Sequence, residues 1–136
     1  MRSSLLLFYV LTSLLPLVVV STFLDDERAV LVEFYSGMCG SCKEFEPTWA
    51  KIEKAAKSIA TAKVNIDADE GLAIAESLGV LEEGLPNVRL FKTASDRKGV
   101  SIIPGIPDTY KNMMKIIKSE LKGLTKRDDG MLLKST

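Results

Sequence analysis

The chain begins with a long apolar segment that carries a single charge. Arg2 precedes a charge-free run from Leu5 to Leu24. Val19 and Ser21 fit positions −3 and −1 of a cleavage site, so the pattern predicts a secretory signal peptide over residues 1–21. The alternative is an uncleaved membrane anchor, because about 20 apolar residues span a bilayer. Both interpretations send the following domain into the secretory pathway, to the lumen of the endoplasmic reticulum or out of the cell.

A buried strand followed by an amphipathic helix is the strongest pattern in the rest of the chain. The run Ala29–Tyr35 (AVLVEFY) is apolar and rich in β-branched and aromatic residues, which predicts a central strand. Glu33 interrupts this run, and a buried carboxylate needs a partner or a purpose. A helix is predicted over residues 41–58, where Pro47 should produce a kink. Its apolar stripe has helical spacing and consists of Phe45, Trp49, Ile52, Ala56 and Ile59.

Shorter patterns complete a strand-helix-strand-helix-strand-strand-helix order. They predict strands at Thr61–Ile66, Asn87–Lys92 and Gly99–Ile103. A short helix carries Leu72, Ala75 and Leu78 and ends at Gly79. A last helix begins near Pro107 and Asp108 and is expected to bury Tyr110, Met113, Met114, Ile117 and Leu121. The first two strands should be parallel and the last two antiparallel. The predicted fold class is α/β, a mixed central sheet flanked by helices. Residues 125–136 are expected to form a frayed tail.

Composition and charge narrow the class of protein. The chain has 136 residues, of which 46% are hydrophobic, and this suits one globular domain, predicted over residues 22–124. Lys and Arg number 18, as do Asp and Glu, so the charge does not favour nucleic acid as a partner. Contact with a membrane is expected only if the N-terminal segment is not cleaved.

Both cysteines of the chain, Cys39 and Cys42, stand at the start of the first predicted helix. A structural zinc site needs four ligands, and the chain has no histidine. An inert disulfide would constrain little of the unfolded chain, and the sequence around the cysteines is too polar for two core thiols. A redox pair fits best, because residues three apart share a helix face and the helix N-terminus favours a thiolate on Cys39. Neither a metal nor an organic cofactor is expected.

Four stretches of the chain extend this pattern beyond the cysteines: VLVEFYSGMCGSCKEFEP, AKVNIDAD, LAIAESLGV with GLPNVRLFK, and VSIIPGI. Together they resemble the thioredoxin superfamily, and most closely the domains of protein disulfide isomerases. The resemblance extends from Ala29 to Leu124 and implies a thioredoxin fold. Only the stretch Thr22–Arg28 lies between the predicted cleavage point and Ala29, so the family's first strand and helix should be shortened or missing. The Lys63 strand is then expected to be an exposed edge.

The resemblance implies catalytic roles for four residues. Cys39 would attack a substrate disulfide, and Cys42 would resolve the mixed disulfide. Glu33 matches the family's buried acid and would accept a proton from Cys42. Lys63 matches a lysine that pairs with this acid. The alternatives are that Glu33 faces solvent at a sheet end and that Lys63 is an ordinary surface lysine.

The resemblance also implies a substrate-binding surface formed by Met38, Gly40, Ser41, Leu85 and Pro86. Pro86 matches the family's cis-proline, and the backbone of Leu85 is expected to pair with a substrate strand. Three departures leave the substrate preference open. Met38 replaces the usual tryptophan, and Ser41 replaces the isomerase histidine or the thioredoxin proline. Two extra residues within 81–83 lengthen the loop before Pro86.

The expected function is therefore thiol–disulfide exchange with protein thiols and disulfides through the C-G-S-C pair, with a separate redox partner that recycles it. Two alternatives use the same residues differently. One is a non-catalytic module that binds client polypeptides. The other is a membrane-tethered electron relay, which depends on whether residues 1–21 are retained.

Overall fold

The computed structural model describes residues 22–136. The predicted signal peptide or anchor, residues 1–21, lies outside the described residues. None of the helices within residues 22–136 combines the length and the apolar character that crossing a membrane requires. In chain order the elements are α1 (Thr22–Asp25), β1 (Val30–Tyr35), α2 (Gly40–Ala55), β2 (Ala60–Asn65), α3 (Asp69–Ser77), α4 (Val80–Glu83), β3 (Asn87–Phe91), β4 (Val100–Pro104) and α5 (Tyr110–Glu120).

The four strands form one mixed sheet in the order β2-β1-β3-β4. Strand β1 runs parallel to β2 and antiparallel to β3, and β3 is antiparallel to β4. This arrangement confirms the predicted mixed sheet. In the described part of the chain, β2 has β1 as its single neighbour, so Lys63 lies on an edge strand as expected. The described residues that precede β1 form one short helix and no strand.

Strand β1 lies at the centre of the sheet and separates two apolar layers. Successive side chains of a strand point to opposite faces. Leu31 packs with residues of α2 and α5, whereas Val32 and Phe34 pack with residues of α3 and α4. Glu33 lies two residues from Leu31 and therefore faces the same layer as α2. The fold thus places a buried carboxylate beneath the helix that begins at the cysteines.

Helix α1, which no sequence pattern predicts, joins the core through Phe23. The Phe23 ring centroid lies 5.1 Å from that of Phe91 and 6.4 Å from that of Phe34. This side chain is buried, with 8% of its surface exposed. The last apolar residues of the N-terminal run therefore belong to the folded domain.

The segment 125–136 is tied to the domain, and the prediction of a frayed tail is wrong. The Ala29 N–H donates to the Leu132 carbonyl at 2.9 Å, and the Leu132 N–H donates to the Ser58 carbonyl at 2.7 Å. The Lys134 ammonium donates at 2.7–3.0 Å to three carbonyls at the end of α1, those of Phe23, Leu24 and Asp26. All five bonds end on backbone carbonyls, so the side-chain pattern of the tail does not reveal these acceptors.

Helix α3 packs through Ile74 and Ala75, whereas Leu72 is 37% exposed. Helix α5 buries fewer residues than its pattern predicts. Tyr110 is 38% exposed because it is the first residue of α5, where the capping residue Thr109 turns the chain. Helix α2 continues through Pro47 as one element, and the expected kink there stays a prediction.

Candidate active site at the start of helix α2

Cys39 and Cys42 form a disulfide at the N-terminus of α2, with their Cα atoms 5.2 Å apart. Cys39 is the N-cap residue, and its sulfur accepts a hydrogen bond from the Cys42 N–H at 3.1 Å. Cys42 is buried and Cys39 is half-buried, so the two sulfurs differ in access to solvent. The helix N-terminus favours negative charge on Cys39. Within residues 22–136, no group of three or more cysteine or acidic side chains is arranged to hold a metal ion.

Asp67, which no sequence motif singles out, fixes the loop between β1 and Cys39. Its carboxylate accepts hydrogen bonds from the Ser36 hydroxyl at 2.6 Å and from the Gly37 N–H at 2.7 Å. The Ser36 oxygen accepts in turn from the Met38 N–H at 3.1 Å. The hydrogen bond from Ser36, followed by that from Gly37, holds the pKa of Asp67 below its usual value. The one available signal is its position just after β2, because neighbouring parallel strands end at the same edge of a sheet.

Glu33 is buried behind the cysteine pair. It is 1% exposed, and with Cys42 it lines a cavity of about 150 Å³. Its Oε2 atom has no hydrogen-bond partner among the described residues. Burial raises the pKa of Glu33, and the charge of Lys63 opposes part of that rise. The cavity is large enough for water to connect the Glu33 carboxylate with the Cys42 sulfur.

Lys63 is brought to Glu33 by the register of the parallel strands, in which the two residues are partners. The Lys63 Nζ atom lies 3.5 Å from Glu33 Oε2 and 3.9 Å from Glu46 Oε1. It also lies 4.5 Å from the centroid of the Tyr35 ring, an arrangement typical of a cation–π contact. The burial of Glu33 excludes the alternative in which this residue faces solvent.

Leu85 and Pro86 lie beside the cysteine pair, and the peptide bond between them is cis. The Ser41 hydroxyl donates to the Leu85 carbonyl at 3.3 Å, and the same oxygen lies 3.3 Å from the Cys39 sulfur. The Pro86 carbonyl accepts from the Gly105 N–H at 3.1 Å. The structure therefore brings three predicted substrate-binding residues, Ser41, Leu85 and Pro86, to the side of the half-buried Cys39.

Residues 81–83, where the resemblance implies two extra residues, lie in α4, which a buried charge network holds in place. Arg89 of β3 is 4% exposed, makes a salt bridge with Glu83 at 3.1 Å and donates to the Leu78 carbonyl at 2.7 Å. Asn87 donates to the same Glu83 carboxylate at 2.8 Å. Gly105 closes this region, since its φ is 95° and an added Cβ would lie 2.5 Å from the Glu83 carbonyl. A basic residue inside an otherwise apolar strand is the sequence signal for this network.

The rim of the site exposes apolar side chains. Met38, next to Cys39, is 91% exposed, and Ile106, next to Gly105, is 83% exposed. An added Cβ on Gly40 would meet no atom within 4 Å, so the helix start is open on that side. An open rim with exposed apolar side chains suits an extended polypeptide better than a small polar ligand.

A disulfide at a helix start, beside a cis-proline and on a mixed sheet of this order, is the arrangement that the resemblance to thioredoxins implies. The sequence matches the thioredoxin family over residues 20–119. The chain therefore belongs to the thioredoxin family, and its fold is the thioredoxin fold that the sequence predicts.

The curated relatives include protein disulfide isomerases that are much longer than this chain. The chain is 32% identical over 114 residues to protein disulfide-isomerase 2-3 of Arabidopsis thaliana, which covers 81% of this chain and 25% of the relative. It is 35% identical over 72 residues to protein disulfide-isomerase A6 of Homo sapiens, which covers 51% of this chain and 16% of the relative. The chain thus spans a quarter or less of the length of these proteins.

Solved structures agree on the fold. The J-Trx1 fragment of ERdj5 superposes with a TM-score of 0.62 at 19% identity, over 76% of this chain and 46% of that one. Oxidised thioredoxin O2 from Arabidopsis thaliana gives a TM-score of 0.55 at 17% identity, over 74% of this chain and 81% of that one. At these identities the similarity concerns the fold alone.

Proposed function

We propose that this protein is a thiol–disulfide oxidoreductase that acts on protein substrates in the secretory pathway. The observation that carries the proposal is the inequivalence of the two sulfurs. Cys39 caps a helix at the surface, whereas Cys42 is buried and shares a cavity with Glu33. Similarity to protein disulfide isomerases supports the substrate class. The predicted signal peptide supports the compartment, where disulfides persist.

The exchange begins when the Cys39 thiolate attacks one sulfur of a substrate disulfide. A Cys39–substrate disulfide forms, the substrate S–S bond breaks, and the released substrate sulfur takes up a proton from water. Cys42 then gives its proton to Glu33 and attacks the Cys39 sulfur. The mixed disulfide breaks, the Cys39–Cys42 bond forms, and the second substrate sulfur leaves and is protonated. Two electrons pass to the substrate, and the reverse sequence oxidises a substrate dithiol.

The residues around the pair serve these two steps. The raised pKa of Glu33 brings its carboxyl closer to neutral pH, which suits a group that accepts and returns a proton. Lys63, on the edge strand β2, stabilises the negative charge of Glu33. The Leu85 backbone and the exposed Met38 side chain bind an extended polypeptide. A thiol or disulfide partner of this chain must then return the pair to its starting state.

Trapping of mixed disulfides tests the proposal. Each single-cysteine variant is expressed in a secretory compartment, quenched with acid, alkylated and separated on a non-reducing gel. Cys42→Ala should accumulate reducible adducts with client proteins, because attack by Cys39 is intact and resolution is blocked. Cys39→Ala should accumulate few, because its remaining thiol is buried.

The control is the variant that lacks both cysteines, which should form no adducts. Equal trapping by the two single variants would show that the assigned roles are wrong. Absence of adducts with both would favour a non-catalytic module that binds client polypeptides on the same surface.

A further inference from the structure

The Ser41 hydroxyl lies between the redox pair and the candidate substrate surface. Its oxygen is 3.3 Å from the Cys39 sulfur and 3.3 Å from the Leu85 carbonyl oxygen. A hydroxyl has one proton, so it can donate to one of these two acceptors at a time. Within residues 22–136, the Leu85 carbonyl accepts a hydrogen bond from Ser41 alone. The ladder of β3 begins only at Asn87.

Which of the two atoms is the stronger hydrogen-bond acceptor depends on the redox state of the cysteine pair. In the disulfide, the Cys39 sulfur is neutral and a weak acceptor, so the Leu85 carbonyl is the better partner. After reduction, the thiolate that the helix N-terminus favours on Cys39 carries a full charge. Hydrogen bonds to charged acceptors are roughly twice as strong as neutral ones. Because the two distances are equal, rotation of the hydroxyl is enough to exchange one partner for the other.

We propose that Ser41 is a specificity-determining residue whose hydroxyl occupies the Leu85 carbonyl in the oxidised protein and turns to the Cys39 thiolate in the reduced protein. The inference rests on the proposed function. A dithiol reductant supplies the two electrons and two protons that open the disulfide. The Leu85 carbonyl then becomes free to accept a backbone N–H from an extended polypeptide. The reduced protein therefore binds a disulfide-bearing polypeptide more tightly, and re-formation of the Cys39–Cys42 bond promotes its release.

A simpler role for Ser41, as a capping residue of α2, does not fit the contacts. The Cys39 sulfur performs the capping by accepting from the Cys42 N–H. The Ser41 hydroxyl instead reaches a carbonyl 44 positions further along the chain. The charged groups that line the cavity beside Cys42 are Glu33, Lys43, Glu46 and Lys63. All four stay constant in the variants below, so they form a common background for the comparison.

The first measurement is the pH dependence of Cys39 alkylation in the reduced protein. Ser41→Ala should move the midpoint of the alkylation curve upward by roughly one pH unit, because the thiolate loses a charge-assisted hydrogen bond. Ser41→Thr keeps the hydroxyl and should restore a midpoint near that of the parent protein. Ser119→Ala, on an exposed face of α5, is the matched control and should leave the curve unchanged.

The second measurement is the affinity for a fluorescent, cysteine-free, extended peptide, which binds without undergoing exchange. The reduced parent protein should bind it roughly three- to tenfold more tightly than the oxidised form, which is the range of one net hydrogen bond. In Ser41→Ala the Leu85 carbonyl is free in both states, so the oxidised variant should bind as tightly as the reduced parent. Equal affinities of the two parent forms, or an unchanged oxidised Ser41→Ala, would overturn the proposal.

Neither measurement needs catalytic turnover, so this inference and the proposed function fail separately. A protein that exchanges disulfides but shows no effect of Ser41 contradicts the inference alone. A protein that shows both Ser41 effects but traps no client keeps the redox-dependent binding and loses the oxidoreductase activity.

Discussion

Replacing Glu33 by glutamine should stabilise the fold and slow the chemistry at the same time. The carboxylate is 1% exposed, and one of its oxygens has no hydrogen-bond partner among the described residues. Lys63 lies 3.5 Å away, but a third of its side chain is in solvent, which weakens the attraction. Relief of an incompletely paired buried charge is worth about 1–3 kcal/mol. The free energy of unfolding of Glu33→Gln should increase by this amount at neutral pH.

The pH dependence of this gain follows from the raised pKa of Glu33. Its ordinary value is 4.5, and burial moves the folded-state pKa above it. The native protein therefore keeps the Glu33 proton over a pH range in which the unfolded chain has lost it. This contribution to stability is complete below the ordinary value and is lost as the pH rises through the folded pKa. Glutamine does not titrate. The stability gain of Glu33→Gln should therefore be present above the folded-state pKa of Glu33 and absent below its ordinary pKa.

The assays are urea unfolding of the oxidised protein over a range of pH and stopped-flow measurement of mixed-disulfide resolution. Resolution should be slowed most near neutral pH. At lower pH Glu33 is itself protonated, and at alkaline pH Cys42 ionises without help. Glu46→Gln is the matched control, because Glu46 also lies near Lys63, at 3.9 Å, but is 69% exposed. It should change both measurements little.

One result would refute this reasoning. If Glu33→Gln is less stable than the parent at neutral pH and resolves mixed disulfides at the parent rate, Glu33 is a structural partner of Lys63. A stability gain without a kinetic change would leave the burial argument intact and remove the proton-acceptor role.

Three further predictions concern the pair, its loop and the tail. The reduction potential should lie between those of thioredoxin and protein disulfide isomerase, roughly −270 to −180 mV, because Ser41 cannot supply the positive charge of a histidine. Equilibration with glutathione measures this potential, and a value of about −120 mV would contradict the prediction. Asp67→Ala should speed hydrogen exchange of the Gly37 amide, which loses its acceptor, whereas Asp69→Ala should not. Lys134→Ala should lower the free energy of unfolding by about 1–3 kcal/mol, since three carbonyls lose a charged donor, and urea titration against a surface-lysine control would show this.

The central strand and helix α2 are predictable because the residue pattern within each segment is enough to indicate the element. A run of apolar β-branched and aromatic residues indicates the strand, and an apolar stripe with helical spacing indicates the helix. Both predictions match the structure within a few residues. The burial of Tyr110 is predicted wrongly because an apolar helical stripe shows which face is apolar but not where the neighbouring layer ends. Helix α4 spans only residues 80–83, too few for periodicity to reveal it.

The residues of the candidate site also fall into those that the sequence indicates and those that it does not. Spacing indicates Cys39 and Cys42, and the resemblance indicates Glu33 and Pro86. Glu33 lines one cavity with Cys42, and Pro86 follows the Leu85 carbonyl that Ser41 contacts. Asp67 and Arg89 each leave a sequence signal, but their hydrogen-bond and salt-bridge partners cannot be predicted, because those partners lie on elements that meet only after the sheet has formed. Periodicity in sequence reports burial, whereas such side-chain networks depend on register and on long-range contacts.

The tail that closes on Ala29 sets the order in which the domain can be completed during synthesis. A chain that emerges N-terminus first exposes Cys39 and Cys42 long before Leu132 and Lys134 have been made. Until then, the Ala29 N–H lacks its acceptor on Leu132, and the carbonyls at the end of α1 lack the ammonium of Lys134. Residues 132–134 can therefore make their contacts with the start of the domain only after the whole sheet and the cysteine pair have been synthesised.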